Sequence, residues 1–123
     1  MRGIRGAITV EVNESKAVCE AVQMLLKEMM SENYLSTGDI GAAIFSATSD
    51  ITAAFPAAAA RTLAGWDMVP LFDAQQMVVD NSIRKCIRVL LLVNSSKSQN
   101  EINHVYLRRA KKLRPDIIKK EKV

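Results

Sequence analysis

The run Lys85-Cys86-Ile87-Arg88-Val89-Leu90-Leu91-Leu92-Val93-Asn94 constrains the fold more than any other stretch. It is the most apolar run of the chain, rich in branched residues and closed by a polar Asn94-Ser95-Ser96 turn. That pattern predicts a strand covered on both faces, which belongs in the middle of a sheet. Strand alternation puts Cys86, Arg88, Leu90 and Leu92 on one face and Ile87, Val89, Leu91 and Val93 on the other. A guanidinium inside such a strand cannot stay dry and unpaired. Arg88 therefore requires an internal carboxylate, a set of carbonyls, or an anionic ligand in a cavity.

The remaining elements follow in order. Ala7 to Val12 alternates as a strand, with Ile8, Val10 and Val12 on one face; Gly3 and Gly6 bracket Arg5, which suggests close backbone approach there. Asn13 is placed to cap a helix running to about Asn33, whose buried stripe is Val18, Val22, Leu25 and Met29, and Asn33 suits a left-handed residue after its end. Ile40–Ala47 reads as a second strand. Pro56 opens a short helix that Gly65 closes, with Arg61 near its C-terminus. Met68–Phe72 reads as a third strand, at an edge because of Pro70. Asp73–Asp80 is a loop or an irregular strand. Ser98 caps one turn over Gln99–Asn103, and His104–Leu107 is extended.

The expected architecture is an α+β domain over residues 1–115, a mixed sheet of four or five strands with one long and one short helix. Residues 116–123 are expected to form a frayed basic tail. Two such helices cover one sheet face, whereas the central strand asks for cover on both. A second copy of the chain is the most economical missing layer, so a homo-oligomer is expected.

Composition decides what the chain is not. With 49% hydrophobic and 24% charged residues it is an ordinary folded protein. No apolar run approaches the ~20 residues of a membrane helix, so no membrane partner is expected. Cys19 and Cys86 have no metal-like spacing and read as reduced thiols of a cytoplasmic protein. The net charge of +4 is localised: from Arg108 onward eight basic residues face two acidic ones, while the preceding part carries nine against eleven. The tail is basic; the body is not. An aromatic content of 5% offers few base-stacking platforms, and no nucleic-acid partner is expected.

The chain has a single histidine, His104, which reads as a surface or structural residue, and it has no phosphate loop, dinucleotide fingerprint, HExxH or CxxC. An enzyme with this inventory does little proton transfer and needs no metal or cofactor. What it has is arginine: Arg5, Arg61, Arg88 and Arg114, from four separate segments, together with Tyr106. Converging arginines suit a small dicarboxylate, and they can place fixed positive charge where negative charge develops.

The segments Arg2-Gly3-Ile4-Arg5-Gly6-Ala7, Phe55-Pro56-Ala57 through Arg61, Gly65-Trp66, Val69-Pro70, Lys85-Cys86-Ile87-Arg88-Val89, His104-Val105-Tyr106-Leu107 and Leu113-Arg114-Pro115-Asp116 resemble, in this order, the monofunctional chorismate mutases of the trimeric pseudo-α/β-barrel type. The resemblance spans nearly the whole chain. It implies a homotrimer with active sites at subunit interfaces and the unimolecular rearrangement of chorismate to prephenate, with no cofactor. It also implies Arg88 at the ether oxygen, and Arg5 with Tyr106 on the enolpyruvyl carboxylate. Phe55, Ala57 and Leu113 would wall the cavity, and Arg61 and Arg114 would stand at its mouth.

Three positions depart from the family pattern. Gln76 replaces a glutamate that contacts the substrate hydroxyl and neighbouring arginines, Asp73 replaces a cysteine, and Ala58 replaces a lysine. Gln76 keeps an acceptor but loses the charge. Asp73 could restore a carboxylate, meet an ammonium, or be a solvated turn residue. Two further readings therefore stand beside the mutase: a relative acting on 4-amino-4-deoxychorismate, and a non-catalytic trimer that holds a polyanion on its basic tail.

Overall fold

The computed structural model describes residues 1–115; the frayed tail expected at 116–123 lies outside the described residues. Five strands form one mixed sheet: β1 (Arg2–Thr9), β2 (Ile40–Ala47), β3 (Leu71–Gln75), β4 (Cys86–Val93) and β5 (Val105–Leu107). Their order is β3-β2-β4-β1-β5. The apolar run thus becomes the central strand, antiparallel to both neighbours, while β3 and β5 add in parallel at the edges. Among the described residues, two α-helices, α1 (Ser15–Glu32) and α2 (Pro56–Arg61), accompany the sheet with four short 3-10 turns.

The alternation of β4 is realised as expected on one side. Ile87, Val89, Leu91 and Val93 are buried, together with Ile4 and Ile8 of β1 and Phe45 of β2, against Val18, Ala21, Val22, Leu25, Leu26 and Met29 of α1. Helical spacing lays those six residues along one stripe, and their removal from water drives the docking of α1. Gly6 of β1 sits under α1, where an added Cβ would lie 2.8 Å from Met29 Cε and 3.3 Å from Leu25 Cδ1. A side chain there would force the buried Met29 thioether to move.

Among the described residues the opposite face has no helix. Register places Gly3, Arg5 and Ala7 of β1, Arg88, Leu90 and Leu92 of β4, Ala42, Ile44 and Ser46 of β2, and Phe72 and Ala74 of β3 on it. Phe72 is 64% exposed, Ile44 38% and Leu90 36%. Among the described residues, cover on this face comes at one end, where the 3-10 turn Arg108–Lys112 folds back and buries Ala110 against Ala7 and Cys86. Arg108 takes a left-handed φ of 56° to make that reversal; its Nη1 donates to Thr9 O (2.9 Å), and the Arg109 amide donates to Thr9 Oγ1 (3.2 Å).

Several boundaries differ from expectation. β1 begins at Arg2 and ends at Thr9 because Arg2 to Arg5 pair with Val93 to Leu90 of the central strand; sheet pairing overrides the polar look of the terminus. Glu14, not Asn13, precedes α1. Asn13 instead accepts hydrogen bonds from the Thr52 and Ala53 amides (both 3.0 Å), tying down the approach to α2. The left-handed residue after α1 is Tyr34 (φ 52°), not Asn33. Asn33 is buried, donates to Met29 O and Asn103 O, and accepts from the Asn103 amide. Trp66–Met68 is a 3-10 turn, and the third strand starts after Pro70, at Leu71. Asp73 to Gln75 belong to that strand.

Gly6→Ala should lower stability by about 1–3 kcal/mol, the usual cost of overpacking. Gly3→Ala, whose Cβ would meet Leu90 Cδ1 at an ordinary 3.5 Å, should cost less than about 1 kcal/mol. Urea unfolding of the two variants beside the parent measures the difference.

Candidate active site

Arg88 is central in β4, so both flanking ladders fix its backbone. The start of the strand is clamped as well. Lys85 stands in a left-handed conformation (φ 48°) and its amide donates to both carboxylate oxygens of Asp50, at 3.1 and 3.0 Å. The Cys86 amide donates to Thr48 Oγ1 (3.0 Å), whose hydroxyl is bonded to Asp50. Burial would raise the Asp50 pKa, but the Thr48 hydroxyl and the Lys85 amide outweigh it and hold the carboxyl below its ordinary range. Asp50 is thus an ionised brace under the strand that carries Arg88.

The Arg88 side chain is half-buried, and its Nε has no hydrogen-bond partner. No ion pair reaches it among the described residues; Asp50 pairs with Arg84 instead, at 3.7 Å. Cys86, on the same face, offers no anion. Burial pushes its thiol up, although the Arg88 guanidinium pulls the other way. Among the described residues one other buried side-chain atom lacks a partner, Gln76 Oε1. The Gln76 amide extends the β2–β3 ladder by donating to Ala47 O (3.1 Å). The alternation carried past Ala74 therefore turns Gln76 to the face that holds Arg88. A donor and an acceptor, each buried and unsatisfied at a cost of about 1–3 kcal/mol, are what a ligand would complete.

Arg88 opens into a hollow of about 580 Å³ lined also by Arg5, Tyr106, Leu113, Arg114 and Ser46. The sequence-predicted cluster is brought together from β1, β4, β5 and the C-terminal segment. Tyr106 pairs with Ala7, and Ala7 with Arg88, across adjacent strands. The 3-10 turn delivers Leu113 and Arg114. No carboxylate lines this hollow among the described residues, so it suits an anion bearing more than one carboxylate. Ser46, opposite Arg88 on β2, was not singled out in the sequence, where it is one small residue in an apolar strand.

The other predicted residues lie elsewhere in the same chain. Phe55, 70% exposed, and Asp73 line a second hollow of about 620 Å³ beside the start of α2. Ala57 is buried there, and Arg61 is exposed at the far end of that helix. Gln76 lines a third, polar hollow of about 420 Å³ with Thr48, Asp50 and residues 77–84. Asp73 is neither a turn residue nor solvated alone. It sits in β3 opposite Phe45, on the helix-covered side, and its Oδ1 accepts the Ala57 amide at 3.0 Å. Phe55 at the N-cap has no side-chain bond of its own, so a carboxylate from a neighbouring strand caps α2.

His104 is more than a surface residue. It is half-buried, and its Nδ1 accepts the backbone amide of Arg5 at 2.9 Å. Burial lowers its pKa, and the nearby Arg5 and Arg114 charges lower it further. No helix among the described residues is long and apolar enough to cross a membrane, and no metal-ligand cluster occurs among them.

Comparison with known proteins gives a consistent set. The family model described as chorismate mutase type I matches residues 1–117. The chain is 46% identical over 118 residues to chorismate mutase AroH of Thermus thermophilus, covering 95% of this chain and 96% of that protein. It is 41% identical over 117 residues to chorismate mutase AroH of Bacillus subtilis, covering 95% and 92%. Among solved structures, a chorismate mutase from Clostridium thermocellum superposes with a TM-score of 0.86 at 45% identity, covering 89% of this chain and 96% of that one.

If Asp73 caps α2, Asp73→Ala should lower stability by about 0.5–2 kcal/mol, and Asp73→Asn, which keeps the acceptor, should recover most of it. Thermal melts of both variants decide the point.

Proposed function

The chain belongs to the type I chorismate mutase family, and we propose that it rearranges chorismate to prephenate with its own arginines as the electrostatic machinery. The reaction is an isomerisation. The enolpyruvyl double bond supplies the electron pair for the new carbon–carbon bond to the ring, the ring double bond shifts one position toward the carbon that loses oxygen, and the pair of the breaking ether carbon–oxygen bond makes its oxygen a ketone oxygen. Nothing is oxidised, and no proton has to leave. A site built from fixed cations, with no cofactor, is sufficient for such a step.

The observation that carries the reading is the unsatisfied Arg88 Nε at the centre of the sheet. Negative charge grows on the ether oxygen as its bond lengthens, and a donor held ready at that point is stronger in the transition state than in the ground state. Arg5 and Tyr106, on the adjoining strands, hold the enolpyruvyl carboxylate. Leu113 forms part of the wall, and Arg114 stands at the mouth. Gln76 Oε1 accepts from the ring hydroxyl. As a neutral amide it makes a weaker bond than a carboxylate would.

The uncovered sheet face supports a homotrimer with interfacial sites. Phe72, Ile44, Leu90 and Phe55 are large apolar side chains in solvent on a single chain, an arrangement typical of an interaction surface. The Arg88 hollow and the Phe55–Asp73 hollow are separate within one copy. In the trimer Phe55, Ala57 and Arg61 of one copy complete the wall and mouth over Arg88 of the next. Cys19 and Cys86 are unpaired, which accords with a cytoplasmic setting.

Loss of the chorismate diene absorbance, followed beside an Arg88→Ala control, tests the reaction. The parent should convert chorismate, and the variant should lose at least about a thousandfold in kcat while light scattering still gives three times the 13.6 kDa chain mass. An Arg88→Ala trimer that keeps its rate would refute the role of Arg88. Gln76→Glu should raise kcat by roughly five- to tenfold, the gain of making one neutral hydrogen bond charge-assisted. An unchanged or lower kcat would remove Gln76 from contact with the hydroxyl.

A further inference from the structure

The outer edge of β1 is satisfied in an unusual way above β5. β5 pairs only with Gly6, Ala7 and Ile8. Beyond it, side chains replace the missing strand: Gln99 Oε1 accepts the Gly3 amide (3.0 Å) while its Nε2 donates to Gly3 O (2.7 Å), and His104 Nδ1 accepts the Arg5 amide. The backbone under a substrate-binding arginine therefore hangs on an imidazole. That imidazole is itself held. Asn103, next to it, is tied to α1 through Asn33 in both directions, with N–O distances of 2.8 and 2.9 Å.

We infer that His104 is a positioning residue for Arg5, acting only as the neutral tautomer, so that acid disables the site by turning the Nδ1 acceptor into a donor. The inference rests on the role of Arg5 proposed above. An imidazolium would set Nδ1–H against the Arg5 N–H across 2.9 Å, where neither group can accept. Two cations face it, Arg5 from β1 and Arg114 from the C-terminal segment. Glu28 and Glu32 of α1 share its hollow with Tyr106 and favour the charged form. Burial and the arginines nevertheless win, and the pKa lies below the ordinary ~6.5. Because the unfolded chain then binds a proton more readily than the folded one, this site's contribution to stability is complete above about pH 6.5. It is lost as pH falls toward the folded value.

Three trimeric proteins decide the matter: the parent, His104→Asn and His104→Ala. The parent should hold a level kcat/KM down through about pH 6.5 and lose it only at lower pH, where the folded His104 takes up its proton. His104→Asn presents an amide oxygen near the position of Nδ1 and does not titrate. It should keep most of the neutral-pH kcat/KM and lose the acid limb. His104→Ala should fall roughly five- to tenfold at every pH, the worth of one hydrogen bond. A readout independent of chorismate is the Arg5 amide resonance in 15N-labelled protein, which should move with the same midpoint as the His104 ring signals and stand still in His104→Asn. An Arg5 amide that ignores the His104 titration would overturn the inference, as would an acid limb unchanged in His104→Asn. If the resonances move together but the parent does not turn over chorismate, the coupling stands and the reading of the reaction fails.

Discussion

Everything in this fold leads to one unsatisfied donor, the Nε of Arg88. A guanidinium on the central strand of a sheet is an expensive choice, because each buried group without a partner costs about 1–3 kcal/mol. The surrounding structure meets that cost by rigidity. β4 is hydrogen-bonded on both sides, its other face is sealed under α1, and its first residues are braced by ionised Asp50. These contacts fix the backbone from which the donor projects. Such a charge needs no reorganisation when a partner oxygen arrives, which is the physical content of electrostatic preorganisation.

One-sidedness follows from the same arrangement. A helix over the second face would bury Arg88 beyond reach of any ligand, and an open face would leave it in water, where its field is weak. Burial of the apolar residues Phe72, Ile44 and Leu90 against a second copy, as proposed above, would give the intermediate condition and leave the arginines in a hollow between copies. The two short edge strands leave room for this, since β5 has three residues and β3 five. On that proposal the site and the assembly are one solution to the problem of where a cation on a central strand can be kept.

Much of this was legible in the chain. The run from Cys86 to Val93, the stripe of α1 and the bounds of β2 follow from period and branching alone, and the resemblance supplied the roles that period cannot. What was hidden depended on partners far away in sequence. The first strand read from Ala7 onward because nothing local reports that Arg2 pairs with Val93. Asp73 looked like a candidate for an ammonium because its bond to the Ala57 amide joins a strand to a helix that only the fold brings together. Asn33 had the right type for a left-handed turn but served a longer-range link to Asn103. His104 was bland for the same reason: its bond spans 99 residues, and a lone histidine carries no motif.

The neutral residue at position 76 alters how charge is balanced across the site. The hollow around Arg88 is lined by Arg5 and Arg114 and by no carboxylate among the described residues, and Cys86 beneath it stays protonated. Where the family pattern has a glutamate among these cations, Gln76 brings an acceptor without a charge, so a dicarboxylate ligand must supply the negative charge itself. That favours binding of the ligand as a whole, ground state and transition state alike, over the contacts that strengthen only as the ether bond breaks. It also makes the site intolerant of further positive charge. A protonated His104, beside both Arg5 and Arg114, would add a third cation to that pair, with Glu28 and Glu32 of α1 as the carboxylates in its own hollow.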